Sequence, residues 1–305
     1  MTQTENPVVS ILIVNWNTKD KLHACLESIF RFPPACSYEV IVVDNASSDE
    51  SEAMVREEFE EVIFIQSGAN LGYAEGNNLA FARARGQLLL TLNPDTEFDD
   101  DSLQKSIEEF QSHPELGSLS IKLILPDGSV QKSVRGFPTI LNIFAAVFKL
   151  DRLFPNTLLG SYMLPRFDYE KTGPAPQPMA TFLLFSQEAL VKVGDPKAPF
   201  DPQFPIFFNE VDLLYRLEKI GRPSWHFAGA HVLHHHGSST KLVKKPMIWE
   251  SHRSLVRYLN KHTVGPSRLA LPIAAVLSYT AAFIRARGYH GEFRPQHHNM
   301  QLEHD

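Results

Sequence analysis

Four short apolar runs, Val8 to Val14, Val40 to Val43, Val62 to Ile65 and Leu88 to Leu92, punctuate the first third of the chain, and stretches of helical periodicity separate them. Their continuous Val, Ile and Leu content is the pattern of strands buried on both faces. Between them, Leu22, Cys25, Leu26 and Ile29 recur at i, i+3, i+4 and i+7 after Thr18, a candidate cap. Ser47 or Ser48 can cap a second helix running to about Phe59, and Leu79 with its neighbouring alanines suits a third from Ala74 to Arg85. This alternation predicts an α/β fold in which a mainly parallel sheet is covered on both faces. Ligands of such sheets bind beyond the carboxyl ends of the strands, so chemistry is expected in the residues that follow each run.

The 305 residues suffice for one large α/β domain with an appendage, or for two small domains. Hydrophobic residues at 43% and charged residues at 21% are globular values. A formal charge of -6 argues against a nucleic-acid partner, which needs clustered Lys and Arg. Cys25 and Cys36 fit neither a disulfide framework nor a four-ligand zinc site, so a reducing cytosol is the expected compartment. Met1 to Pro7 is polar and runs straight into a strand, which predicts no secretory signal peptide.

Beyond Asp95 the pattern changes. Leu103, Ile107 and Phe110 mark a helix, and Leu125 to Val130 reads as a hairpin turn. Arg135 to Pro178, rich in proline and aromatics, reads as a variable surface loop. A strand near Thr181 to Phe185, a helix from about Glu210 to Ile220 and a polar, histidine-rich turn from His231 to Ser239 are expected next. Ile248, Leu255, Val256 and Leu259 share one face of a later helix. Leu269 to Ile284 carries no charge and is bracketed by Arg268, Arg285 and Arg287. It is short for a bilayer span, which needs about 20 residues. Three readings stay open: a core helix, an oligomer contact, or an interfacial anchor.

Several positions carry chemistry on their own terms. Asp44, ending the second run, can accept a hydrogen bond from a base N–H or a ribose hydroxyl, or simply form an Asx turn. Asn70 to Asn77 places two glycines before a helix, which allows close backbone approach and offers a positive helix end to a phosphate. The spacing is not G-x-G-x-x-G, so a dinucleotide fold gains little support. Asp95 ends the fourth run within Leu92-Asn93-Pro94-Asp95, as a ligand for a hard cation or as turn chemistry. Glu210 and Asp212 open a helix, where the dipole favours acids and where a general base could sit. Adjacent histidines from His234 to His236 suit an exposed loop or a metal contact.

Five stretches, Ile13 to Asn17, Asp44 to Asp49, Asn70 to Asn77, Leu92 to Asp95 and Phe207 to Leu213, stand in an order that resembles the family 2 inverting glycosyltransferases of the GT-A fold. More narrowly, the chain is similar to the bacterial rhamnosyltransferase-type branch. The resemblance spans roughly Val8 to Ser239, and the Ser251 to His262 helix is also similar. It implies a nucleotide-sugar-binding half over 1–120, an acceptor-binding and catalytic half over 121–245, and a C-terminal helical segment with a polar tail over 246–305. It further implies donor-binding roles for Asn15, Asn17, Asp44, Asn70, Gly72, Asn77, Asn93 and Asp95. A divalent metal, Mg2+ or Mn2+, would sit on Asp95 and on His234, with His236 next. Glu210 would be the base, with Asp212 beside it.

Two positions depart from the family pattern. Asn93 stands where the first carboxylate of a degenerate Asp-x-Asp is usual, and Glu210 replaces the usual catalytic Asp of Glu-Asp-x-Asp when that motif is aligned on Asp212. The implied reaction moves a sugar, with rhamnose from a thymidine- or uridine-diphosphate donor as the favoured case, to a saccharide or lipid-linked saccharide in cell-surface polysaccharide synthesis. A lipid-linked acceptor favours the interfacial-anchor reading: a cytosolic protein touching the inner face of the membrane through residues 264–288. The rival readings are a nucleotidyltransferase, which should carry a basic glycine-rich loop where Asn15 to Lys21 has none, and a non-catalytic sugar-nucleotide-binding protein.

Overall fold

The computed structural model describes residues 6–235 and 244–287. The four apolar runs are strands β1 (Val9–Asn15), β2 (Tyr38–Asp44), β3 (Ile63–Gln66) and β4 (Leu88–Leu92), with helices α1 (Lys19–Arg31), α2 (Ser51–Glu58) and α3 (Gly72–Arg83) between them. Then follow β5 (Thr96–Glu97), α4 (Ser102–Ser112), β6 (Ser118–Ile124), β7 (Val134–Arg135), α5 (Ile140–Val147), α6 (Leu150–Leu153), β8 (Gly173–Pro174) and β9 (Gln177–Pro178). The chain continues through β10 (Phe182–Ser186), α7 (Gln187–Val193), α8 (Asn209–Lys219), β11 (Ser224–His234), α9 (Lys244–His262) and α10 (Leu271–Arg287).

One sheet of order β3-β2-β1-β4-β10-β6-β11-β5 runs through the molecule. The first four strands are parallel, β10 is antiparallel to both β4 and β6, and β11 is parallel to β6. The GT-A-type arrangement expected from sequence, a mainly parallel sheet between helices, is what forms. Because successive strand residues face opposite ways, Ile11 and Ile13 join the helix α1 and α4 side of the core, while Leu12 joins α3 and α8 on the other. The sheet continues across position 120, which lies inside β6 between β10 and β11.

Local starts differ from the sequence reading. The Thr18 hydroxyl donates to Asn15 Oδ1 (2.6 Å) rather than capping α1, and the Lys19 N–H is taken by Asp49 Oδ2 from the β2–α2 loop (2.8 Å). Helix α2 begins at Ser51, not beside Ser47, because Ser47 Oγ is engaged by the Asn17 N–H (2.8 Å). Residues 135–178 are not a plain loop. Thr139 and Asn142 form a reciprocal capping box that starts α5, and its exposed Leu141 and Val147 blur the amphipathic stripe that would have announced a helix. The expected histidine-rich turn is, as far as His234, the end of β11; His236 to Ser239 lie outside the described residues. That strand escaped notice because Ser224, His226 and His234 occupy inward positions, and a bulge lies between Phe227 and His231.

At the start of α3, the Tyr73 and Ala74 N–H groups both donate to the Pro205 carbonyl (2.8 and 3.0 Å). Gly72 makes that approach feasible: its φ is +76°, and a Cβ there would lie 2.8 Å from the same oxygen. Gly72→Ala is expected to cost about 1–3 kcal/mol through backbone strain and the lost contact, seen as a lower melting temperature; an unchanged melting temperature would show that Pro205 yields freely.

Candidate active site

The carboxyl ends of β1 and β4, the start of α3 and the segment before α8 enclose a cavity of about 370 Å³ lined by Trp16, Asn70, Gly72, Tyr73, Asn93, Asp95, Phe207, Glu210 and His234, among others. Of the residues singled out from sequence, Asn70, Gly72, Asn93, Asp95, Glu210 and His234 therefore meet around one space. Trp16, Tyr73 and Thr181 also line it. Trp16 and Tyr73 fall within the stretches that carry the resemblance but have no role assigned by it, and Thr181 reads in the sequence only as the start of a strand.

The remaining candidates lie beneath or beside this cavity. Asn15 and Asp44 are register partners on β1 and β2, both fully buried, and Asn15 Nδ2 donates to Asp44 Oδ1 (2.8 Å). Asp44 Oδ2 accepts from the Ser47 N–H (2.8 Å), an Asx turn, and from Gln66 Nε2 (3.1 Å). A base N–H reaching Asp44 would have to replace the Gln66 amide. Asn17, in left-handed backbone (φ +51°), accepts the Ser48 N–H at 2.8 Å. Asn77 is buried and donates to the Tyr73 carbonyl (2.9 Å), one turn back in α3. The amino end of α3 is also occupied: besides the two amides on Pro205, the Gly72 N–H goes to Asn70 Oδ1 (3.0 Å). A phosphate at this helix end would have to displace those acceptors, and the second glycine, Gly76, faces Val14 and Asn45 rather than the cavity.

Asp95 and His234 come together from β4's end and β11's end, with Asp95 Oδ1 3.5 Å from His234 Nε2. Main-chain pairing sets the approach, because the His235 N–H donates to the Asp95 carbonyl (2.9 Å). Gln131 Nε2 is directed at the Met179 sulfur (3.8 Å), so its Oε1 receives the proton of His234 Nδ1 (2.6 Å) and Nε2 is turned toward Asp95. That tautomer and its amide support are what a metal-ligating histidine needs, and one divalent cation can touch both atoms. The donor set, one carboxylate and one imidazole with the Asn93 side chain on the same wall, suits Mg2+ or Mn2+ held jointly with phosphate oxygens. A second group, Asp99, Asp100 and His231, has ligand atoms within 4.8 Å of one another but lines none of this cavity. Its side chains already serve as a cap on Ser102 (2.8 Å) and in ion pairs of Asp99 with His231 (2.8 Å) and Asp100 with Lys105 (3.3 Å).

Glu210 stands in the first turn of α8. Phe208, just before it, holds φ +70°, an uncommon backbone state for a bulky residue, and Asn209 Oδ1 accepts the Glu210 N–H (2.8 Å). Burial pushes the Glu210 carboxyl up to about 7, against the opposing pull of the Glu210 and Val211 amides. Asp212 is placed differently. It is fully buried and absent from the cavity wall, forms ion pairs with Arg216 Nε (2.8 Å) and Lys261 Nζ (2.7 Å), and is hydrogen-bonded to His262 Nε2 (2.7 Å). Burial works to raise its pKa, but His262, Arg216 and Lys261 together hold it below the usual carboxylate range. Asp212 thus ties α8 to the end of α9.

Residues 10–149, covering β1 to α5, match the sequence model of glycosyl transferase family 2. The chain carries a family 2 glycosyltransferase domain. Over 242 residues the glycosyltransferase is 26% identical to the N-acetylglucosaminyl-diphospho-decaprenol L-rhamnosyltransferase of Mycobacterium tuberculosis, covering 72% of this chain and 74% of that one. Among solved structures, a mannosyltransferase from Pyrobaculum calidifontis in complex with GDP-Man and Mn2+ superposes with a TM-score of 0.57 at 15% identity, over 94% of this chain and 77% of that one. GalNAc-T7 with UDP, GalNAc and Mn2+ gives a TM-score of 0.59 at 14% identity, over 84% of this chain and 48% of that one. At these identities the two structures show a shared glycosyltransferase fold.

Proposed function

We propose that this enzyme transfers a sugar with inversion, in one displacement, from a nucleoside-diphosphate donor to a saccharide carried on a lipid diphosphate. L-Rhamnose is the sugar favoured by the mycobacterial relative, and its acceptor suggests the lipid carrier. The observation that carries the reading is Glu210: a carboxyl poised near neutrality in the wall of the cavity that also holds Asp95 and His234. A general base works best when its pKa lies near the working pH. Glu210 takes the proton from the acceptor hydroxyl as that oxygen bonds to the anomeric carbon, while the bond from the anomeric carbon to the departing diphosphate breaks. Asp95 and His234 would hold a divalent cation at the diphosphate end of the donor, and its charge would offset the charge gathering on the leaving group. Asn70 and Trp16 line the donor's path.

A second cavity of about 330 Å³ shares Asn70, Gly72 and Ile206 with the first and is walled by Pro246, Met247, Trp249 and Arg253 of α9. Its aromatic ring and guanidinium suit a sugar and a diphosphate, and we assign it to the acceptor.

The test is turnover of dTDP-L-rhamnose, with UDP-sugars for comparison, on prenyl-diphosphate-linked N-acetylglucosamine with Mn2+. Acceptor-dependent release of nucleoside diphosphate and an inverted anomer by NMR are expected. Release of pyrophosphate instead would establish nucleotidyl transfer, and donor binding without turnover would establish a binding protein.

A further inference from the structure

Helix α10 does not behave as a core helix. It packs antiparallel on α9, with Ala274 beside Tyr258, Ser278 hydrogen-bonded to His252 (3.0 Å) and Tyr279 stacked on Trp249. The side chains it buries are small: Ala274, Ser278, Ala282 and Ala286. Leu271 and Leu277 pack partly against the core, but other large ones face outward, with Ile273 56%, Val276 65% and Ile284 64% exposed, and Leu269 just before the helix 85% exposed. The neighbouring segment from the end of α5 through α6 to Leu158 repeats the pattern, with Phe148 61%, Leu153 68% and Leu158 75% exposed. Helix α10 rests against α5, so the apolar residues belong to adjoining elements. Exposed apolar surface on this scale marks an interaction site.

We infer that α10 together with the α5–α6 segment forms a surface that docks onto an anionic lipid bilayer. Charge selects this occupant. The protein carries a net charge of -6, yet residues 264–287 include Arg268, Arg285 and Arg287 and no acidic residue. Lys149 and Arg152 are exposed on the α6 side. Apolar side chains rimmed by cations match the headgroup and acyl boundary of an anionic leaflet. A second copy of this chain fits worse, since a two-fold contact of α10 with α10 would offer Arg268, Arg285 and Arg287 no acidic partner.

The segment Gly265–Arg287 is long and apolar enough to span a membrane, with 22% of its window buried. Its packing decides against spanning. Helix α9, bound along its side, carries Glu250, Arg253, Arg257 and Lys261, which cannot enter hydrocarbon with it. Helix α10 therefore lies in the plane of the interface. Trp249 belongs both to the stack on Tyr279 and to the wall of the second cavity, so the docked face leads toward that cavity. This last link rests on the acceptor assignment above; the docking surface itself does not.

Flotation of the full-length protein with vesicles tests the surface. Co-flotation with phosphatidylcholine/phosphatidylglycerol vesicles at low salt, its loss at high salt, and little binding to phosphatidylcholine alone are expected. Arg285→Gln with Arg287→Gln should lower partitioning by roughly 20-fold, since each basic residue near an anionic surface is worth about fivefold. Ile273→Glu with Ile284→Glu should abolish flotation while keeping the melting temperature and turnover on a soluble acceptor. Absence of wild-type flotation, equal binding to neutral vesicles, or unchanged flotation of both variants would overturn the inference. A dimer in gel filtration that Ile273→Glu with Ile284→Glu dissolves, without flotation by the wild type, would assign the face to a second copy. Turnover on the soluble acceptor is read separately, so failed docking and failed catalysis are distinguishable.

Discussion

Glu210→Gln is expected to lower kcat by at least roughly 100-fold, the usual contribution of general-base catalysis, and at the same time to stabilise the fold above neutral pH. Burial raises the Glu210 pKa from 4.5 to about 7. The folded state therefore binds a proton that the unfolded state has lost between those two values. Stability falls as pH rises through that window and stays reduced above it. At about 1.4 kcal/mol per pKa unit the loss amounts to about 3–4 kcal/mol, and glutamine, which has no charge to bury, recovers it. Denaturant unfolding of both proteins at pH 4 and pH 8 measures the difference. The expected outcome is near equality at pH 4 and a more stable variant at pH 8, alongside a wild-type kcat/KM that climbs through pH 7. A variant that loses activity with no pH-dependent gain in stability would mean that Glu210 acts in some way other than as a buried base.

Asp95→Ala should reduce turnover by at least roughly 100-fold, the scale of losing a principal electrostatic stabiliser of a leaving group. Chelation of the wild-type protein should weaken donor binding strongly, and Mn2+ should restore it. His234→Ala should resemble Asp95→Ala, because the two side chains face each other at 3.5 Å. Isothermal titration of donor with and without Mn2+ separates binding from chemistry; undiminished affinity and activity in EDTA would remove metal from the reading. Gln131→Leu provides a finer check: without the carbonyl that takes the His234 Nδ1 proton, Mn2+ affinity should fall by about 10- to 100-fold.

The parallel half of the sheet was legible because its strands are uninterrupted apolar runs and α1 between the first two presents a clean stripe of Leu22, Cys25, Leu26 and Ile29. The later half was not, because β11 carries Ser224, His226 and His234 at inward positions, where polar side chains mask a strand. The cavity's acidic members could be read from their places at a strand end and a helix start, where Asp95 and Glu210 stand, whereas His234 came only from the family resemblance. What sequence left open was which of two acids, two positions apart on α8, faces the ligand. Helical geometry turns Glu210 into the cavity wall and Asp212 into a nest of basic side chains from α8 and α9. Those side chains, Arg216, Lys261 and His262, are ordinary surface-type residues in the sequence, and only the fold brings the last two to α8. Gln131, which orients His234 from 103 positions away, had no signal of any kind.

The Asp212 knot makes the C-terminal helices less detachable than their outward-facing apolar surface suggests. Trimming them to obtain a better-behaved soluble enzyme would strip Lys261 and His262 from the Asp212 carboxylate, and would loosen the same helix that aims Glu210. Solubility in this protein is better sought by recolouring the outer face of α10, residue by residue, than by cutting it away.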